Sequence, residues 1–463
     1  MIARCPNRVP LVTLLWTLLS VAPPATAEPT TLPAYDRLQQ DFGRLVVSSG
    51  PSGWPMKVLA VSSDPYKFWR GTKILFADWC LAECPDWLAD ADARFPAHGD
   101  LHLGNIGTYP AHRFGQLAFG MVDFDEATFL PFQVELLSGM VTLHLVAQVN
   151  GIDLDDQARR SLTARFLDRF VEAVRAPERA FAELESMPTV RRLLERASKR
   201  TYEQMLEELV EDGRFRPVLY SGKGVAREIL QPIDDRKGQV AALLEQAAWH
   251  DPRFAGQLRY RKASQWESAI RSVAMRTRLG SSGSQGLEKI LVLVERPFVD
   301  RYHDGVFYLK QQVHSAFDRS WDRSAVGLPP LRLSTRVELI GHLCNPAPLF
   351  SSYAEQTTSA GYWVTVREPW SDELDHSDIK TLDDLRRASD ILAMVAGSSL
   401  GRCGLRHPQM DSPDGRNELI TQLLDRTPRF VRWMNEQYEQ FRADPRVPEQ
   451  VRRARKFIDS ADR

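Results

Sequence analysis

Residues His98 to Asn105 read His-Gly-Asp-Leu-His-Leu-Gly-Asn, and residues Val122 to Glu126 read Val-Asp-Phe-Asp-Glu. The first stretch fits the pattern H-x-D-L-x-x-x-N, in which an aspartate orients or deprotonates an acceptor hydroxyl and a later asparagine holds a metal ion. The second stretch supplies the further carboxylate that phosphoryl transfer needs to hold Mg²⁺ on nucleotide phosphates. The pair makes Asp100 and His98 candidate catalytic residues.

The segment between these two motifs predicts a β-hairpin. Ile106–Tyr109 is a strand candidate closed by a proline, and Phe114–Glu126 is typical of a turn followed by a second strand. A hairpin of this kind returns the chain to its starting edge, so both motifs are expected at one cleft. Asn105 and Asp123 are then the predicted metal ligands, with Asp125 assisting.

Two other interpretations of these motifs stay open. In a purely structural one, Asp100 caps a helix or an Asx-turn and the acidic cluster is an exposed turn after a strand. In another, the chain is a binuclear metallophosphoesterase, because Asp and His ligands also occur in G-D-x-H strings. That interpretation needs further histidine motifs downstream, where the remaining candidates are scattered singly: His303, His314, His342 and His376.

A glycine- and serine-rich segment, GSSGSQG, precedes the strand-like LEKILVLVE. Small residues let the backbone approach a polyphosphate and donate N–H groups to it, although a plain hairpin turn has the same composition. Lys310 lies in the next predicted strand, 306–313, where it is placed to reach phosphates or simply faces solvent. Glu338 is its candidate carboxylate partner. The predicted nucleotide-binding residues of the loop are Gly280, Gly283, Ser284 and Gly286.

Composition describes an ordinary globular chain of 463 residues, with 59 Lys plus Arg against 60 Asp plus Glu and a net charge of −1. This balance gives no pull toward nucleic acid. Residues 1–27 predict a secretory signal peptide cleaved after Ala27, and no later stretch predicts a membrane span. We therefore expect a periplasmic or secreted protein. Cys80, Cys84, Cys344 and Cys403 then remain, with disulfides and buried thiols about equally expected.

Periodicity predicts the remaining elements. The chain is helical from Gln133 to about residue 212, a third strand covers 362–367, and Thr381 with Asp384 forms a variant capping box that opens a helix. The last 45 residues are predicted to be helical, with a break at Pro428.

The chain resembles a known family in its motifs. FWRG (68–71), HGDLHLGN, VDFDEA and GSQGLEK followed by YLKQQ are similar to the bacterial domain-of-unknown-function 2252 family, and the first motif pair resembles the kinase-like fold of aminoglycoside and choline phosphotransferases. The resemblance covers roughly residues 60–405. It implies a kinase-like fold with Asp100 as the catalytic aspartate, Asn105 and Asp123 as metal ligands, and Lys310 as the phosphate lysine. The resemblance does not identify a substrate.

The motifs follow one another in an unusual order. Kinases place the Gly-rich loop and lysine strand before the catalytic loop, whereas here the catalytic loop comes first. We therefore predict an α+β, helix-rich, two-lobe kinase-like fold that is circularly permuted. The predicted units are a signal peptide (1–27), a catalytic-loop lobe with a helical block (28–264), a nucleotide-covering sheet lobe (265–370) and C-terminal helices packed on the catalytic lobe (371–463).

These observations lead to one functional expectation and two alternatives. We expect an exported, Mg²⁺- or Mn²⁺-dependent phosphotransferase that moves a phosphoryl or nucleotidyl group from ATP or another nucleotide to an unidentified hydroxyl acceptor. A catalytically inactive nucleotide-binding scaffold of the same fold and the metallophosphoesterase are the alternatives. The sequence says nothing of the acceptor or the oligomeric state, and ATP is scarce outside the cytoplasm.

Overall fold

A computed structural model describes residues 32–45, 53–111, 117–220, 226–279, 287–321, 333, 345, 351–357 and 360–461. The fold is mixed α+β, with helices as the larger share and several antiparallel sheets. The predicted signal peptide, Cys344, Glu338 and the four loop residues Gly280, Gly283, Ser284 and Gly286 lie outside the described residues.

Five short helices come first in the part of the chain that the structure describes. Asp64 caps the third of them by accepting the Lys67 N–H at 2.7 Å. The chain then bends at Thr72, whose hydroxyl donates to the Phe68 carbonyl, and a new helix begins at Lys73. The helices are α1 (Ala34–Leu45), α2 (Gly53–Val61), α3 (Pro65–Gly71), α4 (Lys73–Glu83) and α5 (Pro85–Ala89).

Four short strands hold the two motifs side by side. They are β1 (Arg94–Ala97), β2 (Ile106–Pro110), β3 (Leu117–Met121) and β4 (Thr128–Pro131). β2 and β3 form the predicted hairpin, with Ile106 opposite Met121. β1 pairs with β4, so that Ala97 lies opposite Thr128. Residues 98–105 and 122–127 therefore leave paired strand ends next to each other.

A buried helix follows and lies at the centre of one hydrophobic core. This core joins helices of residues 34–198 with helices of residues 382–447, and these helices are called here the helical lobe. In this part of the chain lie α6 (Phe132–Val149), α7 (Asp156–Arg175), α8 (Pro177–Ser186), α9 (Pro188–Ser198) and α10 (Tyr202–Leu209), as predicted for 133–212. Of the described helices, α6 alone is long and apolar enough to cross a membrane. In the structure 89% of that stretch is buried inside the protein. A helix in a protein core can have the same length and apolar composition as a membrane-spanning helix.

The largest sheet among the described residues has seven antiparallel strands. Their order across the sheet is β12 (Ser351–Thr357), β13 (Ala360–Val366), β11 (Gly305–Gln312), β10 (Lys289–Val294), β9 (Ile270–Arg278), β8 (Ala226–Pro232) and β7 (Val218–Tyr220). The predicted strands at 287–295, 306–313 and 362–367 are confirmed as β10, β11 and β13. Two strands come from before residue 265, where the sheet lobe is predicted to begin. In chain order, the elements of this region are β5 (Val210–Glu211), β6 (Arg214–Phe215), β7 (Val218–Tyr220), β8 (Ala226–Pro232), α11 (Lys237–His250), α12 (Pro252–Gly256), α13 (Ala263–Ala269), β9 (Ile270–Arg278), β10 (Lys289–Val294), β11 (Gly305–Gln312), α14 (Ala316–Ser320), β12 (Ser351–Thr357), β13 (Ala360–Val366) and β14 (Asp372–Glu373).

The two faces of this sheet have different partners. One face, which carries Val292 and Phe307, packs against α11 and α13 through Leu244 and Trp266. The other face packs against α10 at one end, where Leu291 and Val306 meet Tyr202 and Met205. At its other end this second face carries Lys289 and Lys310, which are direct register partners on β10 and β11.

The C-terminal helices complete the helical lobe. They are α15 (Leu382–Arg402), α16 (Pro408–Asp411), α17 (Pro413–Ala443) and α18 (Val447–Ala461). The predicted capping box of Thr381 and Asp384 is present at the start of α15. α15 approaches α7 so closely that a Cβ on Gly401 would lie 2.4 Å from the Val174 carbonyl oxygen. Glycine is therefore required at this crossing.

The predicted break at Pro428 is wrong, because α17 runs through that residue. Proline removes one helical hydrogen bond, yet packing on either side holds the helix together. Phe430 stacks edge-on against Trp69 and Phe76 with ring centroids 5.3 and 5.1 Å apart.

Two of the described cysteines, Cys80 and Cys84, are buried free thiols. Cys403 is half-buried. The structure thus matches the buried-thiol expectation for Cys80 and Cys84.

Candidate active site

The loop from residue 98 to 105 is held by a buried carboxylate from α6. Glu135 accepts the backbone N–H of His98 at 3.2 Å and that of Gly99 at 3.1 Å. Gly99 has a φ of +74°, and a Cβ there would lie 2.2 Å from the Glu126 carbonyl oxygen. Only glycine therefore fits this turn, which sets the direction in which the following Asp100 side chain leaves the loop.

His98 acts inside the loop rather than at its surface. Its side chain is 1% exposed, and its Nε2 lies 2.9 Å from the Val122 carbonyl oxygen. Because a carbonyl accepts only, this contact assigns the proton to Nε2 and leaves Nδ1 to accept the Asp100 N–H at 3.3 Å. Both ring nitrogens are thereby used to hold the backbone of the two motifs together.

Asp100 lies at the centre of a buried polar cluster. Asn105 donates from Nδ2 to the Asp100 carbonyl oxygen at 2.9 Å and to its Oδ2 at 3.1 Å. Lys73 Nζ lies 2.8 Å from Oδ1. Burial alone would raise the pKa of Asp100, but the ammonium of Lys73 more than offsets it and holds that pKa well below its usual range. Asp100 is therefore ionised at neutral pH.

A second row of side chains surrounds this carboxylate. The Lys73 ammonium lies 3.2 Å from the centroid of the Trp69 ring, and burial lowers the pKa of Lys73. His102 Nε2 lies 3.2 Å from Arg70 Nε and 3.3 Å from Asp100 Oδ2. Burial lowers the pKa of His102 to about 4, so this ring is neutral at neutral pH and brings no charge to the aspartate.

The second motif meets the seven-stranded sheet directly. Lys310 Nζ lies 2.5 Å from Asp123 Oδ1 and 2.5 Å from Asp125 Oδ2, and Gln312 donates to Asp125 Oδ1 at 2.8 Å. Asp123 has a φ of +63°, a left-handed conformation that aspartate tolerates better than most residues. The chain therefore turns sharply after β3 and presents two carboxylates to one lysine.

The two carboxylates are in different electrostatic states. Burial opposes ionisation of Asp123, but the Lys310 charge prevails and lowers the pKa of Asp123 to about 2. Burial and then the neighbouring Asp123 charge raise the pKa of Asp125. For Lys310 itself, burial is outweighed by both carboxylates, so its pKa is raised. Two carboxylates that share one cation form a site that a divalent ion can occupy.

These residues surround a single cleft between the helical lobe and the sheet, called here the central cleft. Helices α1 to α4 supply one wall and the motif of residues 123–126 supplies another, with Leu287 and Val313 from the sheet side. The charged side chains that line it are Asp41, Lys57, Arg70, Lys73, Asp100, Asp123, Asp125, Glu126 and Arg319. The structure thus brings Asp100, Asp123 and Asp125 to one cleft, with Asn105 and Lys310 bonded to them and His98 behind.

A protein-family model described as "Uncharacterized protein conserved in bacteria (DUF2252)" matches residues 50–444, which is most of the chain. The chain belongs to the DUF2252 family. Every described residue of the central cleft from Lys57 to Arg319 lies inside the matched region of this family. Comparisons with curated proteins and with solved structures find no match.

Several polar residues of this DUF2252 protein that line or support the central cleft were not predicted for the site, among them Asp41, Lys57, Lys73, Glu135, Gln311, Gln312 and Arg319. Arg70 was quoted only as part of the FWRG motif. Lys73 follows that motif by two residues, and this proximity is the one sequence signal that indicates it. Glu135 and Gln312 acquire their roles from contacts with residues 36 and 187 positions away, which no local pattern indicates.

The donor atoms at this site are of the kind that Mg²⁺ takes. Among the described residues there is no group of three or more His, Cys, Asp or Glu side chains placed to hold a metal ion. Mg²⁺ binds through one or two carboxylates and completes its shell with water and substrate phosphates. The side-chain oxygens of Asn105, Asp123 and Asp125 are donors of that kind.

Proposed function

We propose that this protein is a Mg²⁺-dependent phosphotransferase that moves a phosphoryl or nucleotidyl group from a nucleotide to a hydroxyl acceptor. The observation that carries the proposal is the contact of Lys310, on the sheet, with Asp123 and Asp125, on the helical lobe, next to Asp100 in the same cleft. A phosphate-binding lysine, metal-binding carboxylates and an ionised aspartate are the parts that phosphoryl transfer requires.

A circularly permuted kinase-like arrangement accounts for the order of these parts. The lysine strand β11 follows the catalytic loop by about 200 residues in the chain, yet its lysine meets the hairpin motif in space. In this proposal the seven-stranded sheet is the nucleotide-covering lobe, and the ends of the chain share the helical lobe. Shared packing of α7 with α15 and of α3 with α17 supports the second half of this statement.

The described residues divide the chemistry among them. Asp100, held ionised by Lys73, orients the acceptor hydroxyl and accepts its proton as the bond to phosphorus forms. Lys310 neutralises charge on the phosphates. His98 and Glu135 are positioning residues, since both bond to the backbone of the loop that carries Asp100 and His98 also joins that loop to Val122.

Magnesium would be held by Asn105, Asp123 and Asp125. When bound, it supplies positive charge that neutralises the phosphates and fixes their orientation. Lys310 occupies the space between the two carboxylates in this structure and shows that a cation is accommodated there. Lys310 and the ion together then match the charge of a polyphosphate.

The location of the reaction is part of the proposal. The predicted signal peptide favours export, and the acceptor is then a hydroxyl compound of the periplasm or the medium. No nucleic-acid partner is proposed, because the chain carries no net positive charge. The donor nucleotide must reach the same compartment, so nucleotides other than ATP belong in every binding experiment.

Thermal unfolding with ATP, GTP, CTP and UTP, each with and without Mg²⁺ or Mn²⁺, tests the nucleotide site. A ligand at a hundredfold excess over its Kd stabilises by about 2.7 kcal/mol, which a melting curve resolves. We expect metal-dependent stabilisation that Asp123→Asn lacks and that the exposed control Asp156→Asn retains. Asp100→Ala should keep the stabilisation and lose turnover. Absence of any shift in folded protein would refute the proposal, and binding without turnover would favour the scaffold.

A further inference from the structure

Three cations lie in one row across the second face of the seven-stranded sheet. Lys289 on β10 is the register partner of Lys310 on β11. On its other side, Met275 of β9 pairs with Ile290, so the next residue, Arg276, lies beside Lys289. Side chains that share a row on one face of a sheet are neighbours, and their charges therefore act on one another.

The two outer cations of this row are neutralised by carboxylates. Arg276 makes a bidentate pair with Glu228 at 2.8 and 2.7 Å. Lys310 lies between Asp123 and Asp125. Each outer cation therefore has its anion within the protein.

The middle cation has no such partner within the part of the chain that the structure describes. Lys289 is 5% exposed, and its side chain forms no ion pair or hydrogen bond with any described residue. Burial of an ammonium group without an anion is strongly unfavourable, and a hydrophobic residue at this position would lower the free energy of the folded state. A lysine here is explained if an anion from solution becomes its partner.

We propose that Lys289 is a second phosphate-binding lysine, which contacts the polyphosphate of the nucleotide beside Lys310. The inference rests on the proposed function, because the polyphosphate is that of its donor substrate. The two lysines have different roles because only Lys310 is paired with carboxylates. Lys310 serves the carboxylates of the metal site as well as the phosphates, whereas the charge of Lys289 is available to the phosphates alone.

The titration of Lys289 supports this assignment. Burial, followed by the charges of Lys310 and Arg276, lowers the pKa of Lys289 to about 7, while Asp125 and Asp123 act in the opposite direction. At pH 8 Lys289 is therefore mostly neutral in the ligand-free protein. A polyphosphate beside it favours the charged form, so binding at pH 8 takes up close to one proton.

The experiment compares the full-length wild type with Lys289→Met and with the exposed control Lys380→Met. Binding of adenosine, ADP, ATP and inorganic tripolyphosphate is measured by titration calorimetry with Mg²⁺ at pH 8, in two buffers of different ionisation enthalpy. Charge-assisted hydrogen bonds imply a rise of roughly tenfold to a hundredfold in the Kd for ATP and tripolyphosphate in Lys289→Met. Adenosine affinity should not change, and proton uptake should disappear in Lys289→Met only.

The outcomes separate this inference from the proposed function. If the wild type binds ATP and Lys289→Met binds it equally well, the inference is wrong and the proposed function stands. If only tripolyphosphate binds, and Lys289→Met loses it, Lys289 is a phosphate-binding residue and the nucleotide assignment fails. If neither ligand binds the folded wild type, both proposals fail. A ligand-free melting curve of Lys289→Met provides the folding control, and we expect its midpoint at or above that of the wild type because a buried polar group has been replaced by an apolar side chain.

Discussion

Replacing Lys310 by Met removes the cation that joins the sheet to the helical lobe. Loss of one partner from a buried ion pair costs about 3 to 5 kcal/mol. The Asp123 side chain is 42% exposed and that of Asp125 17%, so water screens part of the unpaired charge. We therefore expect a loss of about 3 kcal/mol in the free energy of unfolding at pH 7, measured by urea denaturation.

The pH dependence of this loss gives a second and sharper readout. In the wild type the pKa of Asp123 is about 2, below its ordinary value of about 3.9 in the unfolded chain. Its pairing with Lys310 therefore stabilises the protein above about pH 4, and that contribution disappears as the pH falls toward 2. Since Lys310→Met lacks the contribution at every pH, the difference from wild type should shrink between pH 7 and pH 3.5.

Lys67→Met is the matched control, because Lys67 pairs with Asp64 at 3.4 Å on the surface. Surface pairs contribute between about 0 and 1 kcal/mol. The reasoning would be refuted if Lys310→Met were no less stable than Lys67→Met, or if its loss stayed the same from pH 7 to pH 3.5. Millimolar Mg²⁺ or Mn²⁺ should restore part of the stability of Lys310→Met, since a divalent ion can take the place of the ammonium.

Three further changes test the loop and its neighbours. Lys73→Met should raise the pKa of the aspartate it contacts, so the acidic limb of the rate profile moves to higher pH while nucleotide affinity stays within about threefold. Glu135→Gln should cost about 2 to 4 kcal/mol in urea denaturation, because one of two buried backbone donors loses its acceptor. Gly99→Ala should unfold at lower temperature, since its Cβ meets a carbonyl oxygen at 2.2 Å, whereas Gly43→Ala has open space and should be neutral or stabilising.

The sequence predicts the local parts of this site well, because their patterns are short and contiguous. The hairpin of β2 and β3 follows from alternating residues between two polar motifs, and strands β10 and β11 follow from apolar runs bounded by turn residues. The sequence also indicates Lys310 as a candidate phosphate lysine, and in the structure this lysine contacts Asp123.

Other features depend on partners that lie far away in the chain. Strand β7 has only three residues and β8 is mixed in composition, so neither was predicted. In the structure β8 pairs with β9, and β7 pairs with β8. The continuity of α17 through Pro428 depends on aromatic packing from residues 69–79. The role of Glu135 depends on a loop that lies 36 residues earlier in the chain.

The order of elements also determines when this protein can fold during its synthesis. The wall formed by α3 and α4 needs Phe430 of α17 as its packing partner, and α7 needs α15. These partners leave the ribosome some 230 to 360 residues after the helices that they cover. The apolar faces of α3, α4 and α7 therefore lack these packing partners until most of the chain has been synthesised. We therefore expect the helical lobe to complete its packing late in synthesis or after it, when contacts between distant parts of the chain become possible.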